Sequence, residues 1–247
     1  MRIAFFSDIH GNREALDACL AHAERQRVDR MVFMGDLVGY GADPVYVVER
    51  VAREMEKGAV ALLGNHDQAA ALGQSDGMNE YARAAIEWTH QALDAASIDV
   101  IKTLPMSVTD EDRLYVHSEA SSPHSWSYIT DAQTAERSLR STGARITLCG
   151  HVHRPQLYHM SPSKPPVFFL PQSSTPIPLM GNRKWLAVLG AVGQPRDQNP
   201  AAAYAILDTT LNEITYLRAA YNIEKAASKI HAAGLPQMLA ARLFIGR

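Results

Sequence analysis

Apolar positions along this chain cluster in short runs, and early on the runs alternate with amphipathic stretches. Residues 3–6, Ile-Ala-Phe-Phe, hold no turn residue and read as a buried strand. Asn12 then offers an N-cap, Glu14 an acidic first turn, and Leu16 and Leu20 one apolar stripe, which predicts a helix to about residue 26. A second apolar strand follows over 31–34. Asp43-Pro44 reads as an N-cap with proline at the first helical position, opening a helix over 44–57 that Gly58 stops. Residues 59–63 make a third strand. Two βα units in succession predict a sheet covered by helices, with a site at the carboxyl edge of its strands.

The middle is less regular. Residues 79–95 read as a helix with a rough stripe of Ala82, Ile86 and Leu93, and 105–109 with 113–116 as a hairpin around Asp110-Glu111-Asp112. The serine-rich stretch 121–128, with Trp126 and Tyr128, reads as a loop near the site. A helix over 131–140 and a strand over 146–149 follow. Strands are then predicted at 156–160 and 167–170, paired across a proline-rich connection, and at 185–189, 203–208 and 213–218, with a turn at Leu211-Asn212. This antiparallel run is expected to form a second sheet packed on the first. Two short helices, 223–233 and 237–244, break at Gly234-Leu235-Pro236. No linker-like segment or repeat is visible, so residues 1–247 read as one domain with a helical tail from about 222.

Five predicted strand ends carry metal-type ligands: Asp8-Ile9-His10, Gly35-Asp36, Gly64-Asn65-His66-Asp67, His117-Ser118 and Gly150-His151-Val152-His153. The candidates are Asp8, His10, Asp36, Asn65, His117, His151 and His153. They are nitrogen and oxygen donors without a thiolate, which argues against a structural zinc site. Seven are too many for one ion and enough for two if one carboxylate bridges, and Asp36, on its glycine-rich loop, is the best bridge. Two ions ~3.5–4 Å apart clamp a phosphoryl group and activate water. Mixed imidazole and carboxylate donors suit manganese first, with iron, zinc, nickel or cobalt as alternatives, and suit calcium or magnesium poorly.

Composition narrows the setting. Hydrophobic residues make up 47% and charged residues 20% of the chain, and the formal charge is −2, so nothing draws the whole molecule to nucleic acid or anionic membrane. The amino-terminal apolar run stops at Asp8, too short for a signal peptide, and no stretch approaches membrane-spanning length. Cys19 and Cys149, inside a predicted helix and strand, read as reduced core residues, and a cytoplasmic location is expected. A homo-oligomer is compatible with this composition.

In this order, Asp8-x-His10, Gly35-Asp36, Gly64-Asn65-His66-Asp67, His117 and Gly150-His151-x-His153 resemble the motifs of the calcineurin-like metallophosphoesterases. The resemblance implies an α/β fold, a two-sheet sandwich flanked by helices. It implies one metal on Asp8, His10, Asp36 and His153, a second on Asp36, Asn65, His117 and His151, and His66 as the catalytic imidazole that contacts phosphate. Gly193-Gln194-Pro195-Arg196-Asp197 and residues 232–242 resemble small bacterial and archaeal phosphodiesterases related to diadenosine-tetraphosphate hydrolases. That branch usually carries Asn-Pro-Gly-Ser where this chain has Leu189-Gly190-Ala191-Val192. Where Ser/Thr protein phosphatases continue the second motif as Val-Asp-Arg-Gly, this chain has Val38-Gly39-Tyr40-Gly41. Both the aspartate that orients the catalytic histidine and the arginine that grips phosphate are replaced, which ranks protein phosphatase low.

The expected function is therefore a dinuclear metal-dependent phosphohydrolase acting on a small phosphoester or nucleotide, with a hydroxide held by the ions attacking phosphorus in line. A phosphodiesterase ranks first. Asymmetrical cleavage of diadenosine tetraphosphate is the specific version, and monoesterase or a non-catalytic scaffold of the same fold ranks lower. Asn12, Arg13 and Tyr40, beside the ligands, His124 in the serine-rich loop, and Arg196 are candidate substrate contacts. Asn12 is equally explained by capping, and Arg196 by pairing with Asp197.

Overall fold

Alternation along β1 (Arg2–Phe6) sets the layering of the molecule. In the computed structural model, which describes residues 1–247, Ile3, Ala4, Phe5 and Phe6 are all inaccessible to solvent. Successive side chains of a strand point to opposite faces, so a strand buried along its whole length needs a cover on each side. Ile3 and Phe5 pack between two sheets, with Val32, Met34, Leu148, Ala187 and Leu207. Ala4 and Phe6 face outward and pack on Leu16 and Leu20 of α1 (Arg13–Arg25). The same outer layer includes Val47 and Val51 of α2 (Pro44–Glu56).

The first sheet has the order β3-β2-β1-β11-β12-β9, with β2 Arg30–Phe33, β3 Val60–Ala61, β9 Ile177–Pro178, β11 Ala202–Asp208 and β12 Glu213–Ala219. The second has the order β4-β5-β6-β10-β7-β8, with β4 Ser107–Asp110, β5 Arg113–Val116, β6 Ile146–Cys149, β7 Gln156–Met160, β8 Val167–Phe169 and β10 Lys184–Val188. Helix α6 (Ala132–Arg140) covers the outer face of the second sheet through Ala135 and Leu139, which meet Val116, Cys149, Leu186 and Val188. The result is helices, sheet, sheet and helix in four layers. The α/β sandwich expected from the motifs is the observed fold.

The carboxyl-terminal strands do not, however, form the second sheet together. β7, β8 and β10 join that sheet, but β11 pairs antiparallel with β1, from Arg2 opposite Asp208 to Phe5 opposite Ala205, and carries β12 with it. Burial explains the split. Six consecutive residues of β11 are buried, Tyr204 and Ile206 against the helices and Ala205 and Leu207 between the sheets. A strand apolar on both faces belongs inside a doubly covered sheet, and the free side of β1 is such a position.

Two helices depart from the periodicity reading. β3 is only two residues long, and the chain passes at once into α3 (Asn65–Leu72), whose alanine-rich run has little apolar-polar contrast. Beyond α4 (Glu80–Ala92), Asp94 caps a separate helix α5 (Ala95–Lys102) by accepting the Ser97 N–H. The final helices match the expected boundaries closely, as α7 (Ile223–Ala232) and α8 (Gln237–Ile245), but they are not a loose tail. They pack around Tyr40, Ala82 and Ala85, and the Lys229 ammonium sits 2.7 Å from both Glu14 and Asp43. Leu239 is fully buried in that cluster. Leu239→Ala is expected to lower stability by about 2–5 kcal/mol, read from the midpoint of urea unfolding.

Candidate metal centre

The loops after β1, β2, β3, β5 and β6 converge at one edge of the sandwich. Asp8, His10, Asp36 and His153 present ligand atoms within 4.8 Å of one another, and so do Asp36, His117 and His151. All six residues are buried. Asp36 belongs to both groups: its Oδ2 lies 3.7 Å from His10 Nε2 and 3.4 Å from His117 Nε2. The amide N–H of His66 donates to Asp36 Oδ1 at 2.8 Å, which fixes the carboxylate plane. Asn65 opens α3 beside it, and its side-chain Oδ1 is buried without a hydrogen-bond partner.

Each of the four imidazoles has one nitrogen against a backbone carbonyl. His10 Nδ1 meets the Val38 carbonyl at 3.1 Å, His117 Nδ1 that of Met34 at 2.8 Å, His153 Nδ1 that of Gln194 at 2.7 Å, and His151 Nε2 that of Trp126 at 2.9 Å. A carbonyl only accepts, so these nitrogens must donate, and the opposite nitrogen of each ring is directed inward, where it offers a lone pair to a cation once it is free of a proton. His117 Nε2 has no hydrogen-bond partner, and His10 Nε2 faces His153 Nε2 at 3.1 Å, lone pair to lone pair. Such facing acceptors repel unless a proton or cation lies between them. Carbonyl-anchored imidazoles with the other nitrogen bare are the arrangement that metal-ligating histidines adopt. The donor set therefore fits divalent transition ions.

Electrostatics reflect the crowding. Burial opposes the ionisation of Asp8 and Asp36, yet His153 beside Asp8, and His117 and His66 beside Asp36, hold both carboxyls well below the usual range. Burial lowers the proton affinity of His10, and that of His151 to about 3. At His117 the burial penalty is outweighed by Asp36, and the ring is pushed up to about 9. Burial lowers His66 to about 4 against the pull of Asp36, so its ring is neutral at pH 7.

Backbone strain concentrates here. Asp8, His10, Asp36, Tyr40, Trp126, His151 and His153 all take positive φ, between 50° and 67°. Side chains other than glycine rarely adopt this region, though Asp and His tolerate it best. The surrounding hydrogen bonds hold them there: His10 N–H donates to Asp36 O, Asp8 N–H to Gly35 O, and His151 N–H to both oxygens of Asp8 at 3.1 and 3.0 Å. Asp67, at the third position of α3, accepts the N–H groups of Val38 and Gly64, both at 3.0 Å. It thereby ties the second motif to the third. Burial first and the charge of Asp36 second raise the Asp67 carboxyl to about 7.

His66 is held by rings. Its centroid lies 4.5 Å from that of Tyr40 and 4.8 Å from that of His10, and its Nδ1 is buried without a partner. A Cβ on Gly39, at φ +86°, would stand 2.5 Å from that Nδ1. The missing side chain at Gly39 is thus what lets the His66 ring take its place.

The predicted substrate contacts divide. Tyr40 lies at the centre, with its ring 4.6 Å from His10. Arg196 lies above the Tyr40 ring at 5.8 Å. Asn12 is buried in structural duty: its Oδ1 caps α1 through the Ala15 N–H, and its Nδ2 donates to Gly193 O. Arg13 is engaged away from the ligands, stacked on Tyr46 at 4.0 Å and 3.6 Å from Asp17. His124 sits exposed on a short 3-10 turn (Pro123–Ser125) and touches none of the cluster. Residues 189–192 act through their backbone, with Val192 N–H donating to Ser7 O and Gly193 N–H to Asp8 O. Sequence reading missed the carbonyls of Val38, Met34, Gln194 and Trp126 altogether, since a carbonyl leaves no trace in residue type. It named Asp67 within the third motif without giving it a task, although an acid at the third position of a helix was an available sign.

The model of the calcineurin-like phosphoesterase superfamily domain matches residues 1–212, and the chain belongs to that superfamily. Over 250 residues it is 32% identical to the uncharacterised protein MJ0912 of Methanocaldococcus jannaschii, covering 99% of this chain and 98% of the relative. Its structure resembles a metallophosphoesterase from Sphaerobacter thermophilus, with 33% identity, a TM-score of 0.87, and coverage of 100% and 99% of the two chains. The hypothetical protein PH1004 from Pyrococcus horikoshii shares the fold, at 17% identity and a TM-score of 0.80, with 100% and 98% covered. No helix of this chain is long and apolar enough to cross a membrane.

Gly39→Ala is expected to displace the His66 ring and cut turnover by about 100-fold or more. A crystal structure of the variant with His66 unmoved would contradict this reading.

Proposed function

We propose that this chain is a dinuclear metal-dependent phosphodiesterase. The carrying observation is the set of four imidazoles, each anchored through one nitrogen to a backbone carbonyl and bare at the other, around the shared carboxylate of Asp36. Asp8, His10, Asp36 and His153 would hold one ion, and Asp36, Asn65, His117 and His151 the other. Divalent ions in such a pair would supply Lewis acidity toward a phosphoryl group and a nucleophile at neutral pH, and mixed imidazole and carboxylate donors accept manganese, iron or zinc.

The protein's own part is to place and to donate. His66 enters as a neutral imidazole, and with Nδ1 facing Gly39 its Nε2 is the nitrogen left to meet substrate. The N–H on Nε2 of this neutral ring can donate a hydrogen bond to the leaving oxygen and stabilise the negative charge that develops there. Tyr40 and His10 keep the ring from turning. Gly39 and Tyr40 provide neither the carboxylate nor the guanidinium that the protein-phosphatase version of this motif contributes. A diester, which carries one negative charge fewer than a monoester dianion, suits a pocket with so few fixed cations.

Metal analysis of purified protein, with hydrolysis of bis-p-nitrophenyl phosphate, p-nitrophenyl phosphate, 2′,3′-cyclic AMP and diadenosine tetraphosphate in Mn²⁺, tests the proposal. Two ions per chain and a preference for diesters or the dinucleotide are expected. Asp36→Asn should lose metal and activity together, whereas His66→Gln should keep metal and lose about 10²–10⁴ in kcat. No uptake of metal by the wild-type protein after reconstitution would overturn the proposal.

A further inference from the structure

The loop after β10 carries a cation that the fold leaves without a carboxylate. Asp197, the neighbour that could neutralise Arg196, pairs instead with Arg218 of β12. The Arg196 side chain bonds the neutral amide of Gln194, through Nη2 at 2.9 Å and Nε at 3.3 Å, and its other neighbours are the hydroxyls of Tyr40 and Tyr128, neither of which neutralises it. The same loop builds the metal centre: Gln194 O accepts from His153 Nδ1, and Arg196 N–H donates to His153 O at 3.2 Å. The guanidinium is therefore positioned by the residue it neighbours, with its charge beside Tyr40. Its influence also reaches Tyr128: burial raises the proton affinity of both phenols, and the positive charge of Arg196 opposes that rise.

Tyr128 forms the other wall. One face of its ring stacks on His151, with centroids 4.0 Å apart and planes 15° apart, yet the residue is 49% exposed. Trp126 is not equivalent. Its Nε1 donates to Gln68 Oε1, its carbonyl orients His151, and its ring sits edge-on to His117 at 5.9 Å. The serine-rich loop thus offers one held aromatic and one with an open face. The loop is anchored by Glu119, buried behind it, which accepts from Ser121 and Arg137.

We propose that Arg196 and Tyr128 form a substrate subsite at the mouth of the metal centre, Arg196 gripping a non-bridging phosphoryl oxygen and the open face of Tyr128 stacking a flat ring on the ester. The substrate class is then an aryl- or nucleoside-type phosphoester, a narrowing that rests on the proposed phosphodiesterase reading. A guanidinium free of a carboxylate matches phosphate oxygens with paired N–H donors. Stacking on a phenol ring accepts any base, because every base has a π-face.

Calorimetric titration of the metal-loaded protein with inorganic phosphate and with AMP separates the two contacts. Wild type is expected to bind AMP more tightly than phosphate. Arg196→Ala should weaken both by about tenfold or more, with Arg196→Lys recovering only part. Tyr128→Ala should weaken AMP by about tenfold while phosphate affinity stays within twofold, and Tyr128→Phe should restore AMP binding. Arg183→Ala, before the opposite end of β10, controls for loss of charge and should change neither. A wild type that binds metal and cleaves diesters, with phosphate and AMP affinities unmoved by Arg196→Ala and Tyr128→Ala, overturns the subsite and leaves the phosphodiesterase standing. A wild type that takes up no metal and cleaves nothing removes both.

Discussion

Lone pairs that aim at one another are the constraint on which this structure turns. Four imidazole nitrogens and the carboxylates of Asp8 and Asp36 converge in a space closed to solvent, where their mutual repulsion is scarcely screened. Such a cluster forms only if the rest of the molecule holds it. Backbone carbonyls do so by occupying the far nitrogen of each ring, and backbone N–H groups do so by clamping each carboxylate. The left-handed turns at Asp8, His10, Asp36, His151 and His153 follow from the same demand, because they turn consecutive polar side chains toward a single point. Strain of this kind persists only where surrounding contacts over-determine the local backbone.

The layered sandwich is what makes that possible. β1, β2, β5 and β6 are rigid because both faces of each sheet are covered, and their carboxyl ends deliver the loops at fixed separations. Asp67 then links the loop after β2 to the start of α3, so the second and third motifs move as one piece. His66 inherits its position from this link and from Tyr40, whose own ring is packed under α7 and α8. In the Ser/Thr phosphatases the corresponding histidine leans on a carboxylate at the position of Gly39. Here the space at Gly39 is needed by the imidazole itself, and aromatic packing replaces an ion pair.

Much of this was legible in the residues, for a physical reason. Motifs at strand ends announce themselves because an apolar run that stops at Asp-x-His or Gly-His-x-His has no packing explanation. Strand positions were readable wherever a strand is buried on both faces, as in residues 146–149. The pairing of those strands was not. β11 and β10 look alike in sequence, and only the burial demand of the free side of β1 sends them to different sheets. α3 was hidden because Ala-Ala-Ala-Leu has no periodic contrast. Arg13 and His124 were proposed by proximity along the chain, which does not say which way a side chain turns. Arg13 turns to Tyr46 and Asp17, and His124 to solvent.

The pairing of β1 with β11 also sets a timetable. The strand that leads into Asp8 and His10 ends at Phe6 and long precedes its partner β11, which begins at Ala202, so during synthesis one side of β1 stays open until β11 has left the ribosome. Parallel pairing with β2 comes early, but the loop carrying Gln194 O, which orients His153, comes after β10. Contacts this distant in sequence form late and leave a nascent chain with an exposed apolar edge. A growing chain that met metal early would have only part of its donor set to offer, and the full set of buried ligands comes together only once the last strands have closed the sheet.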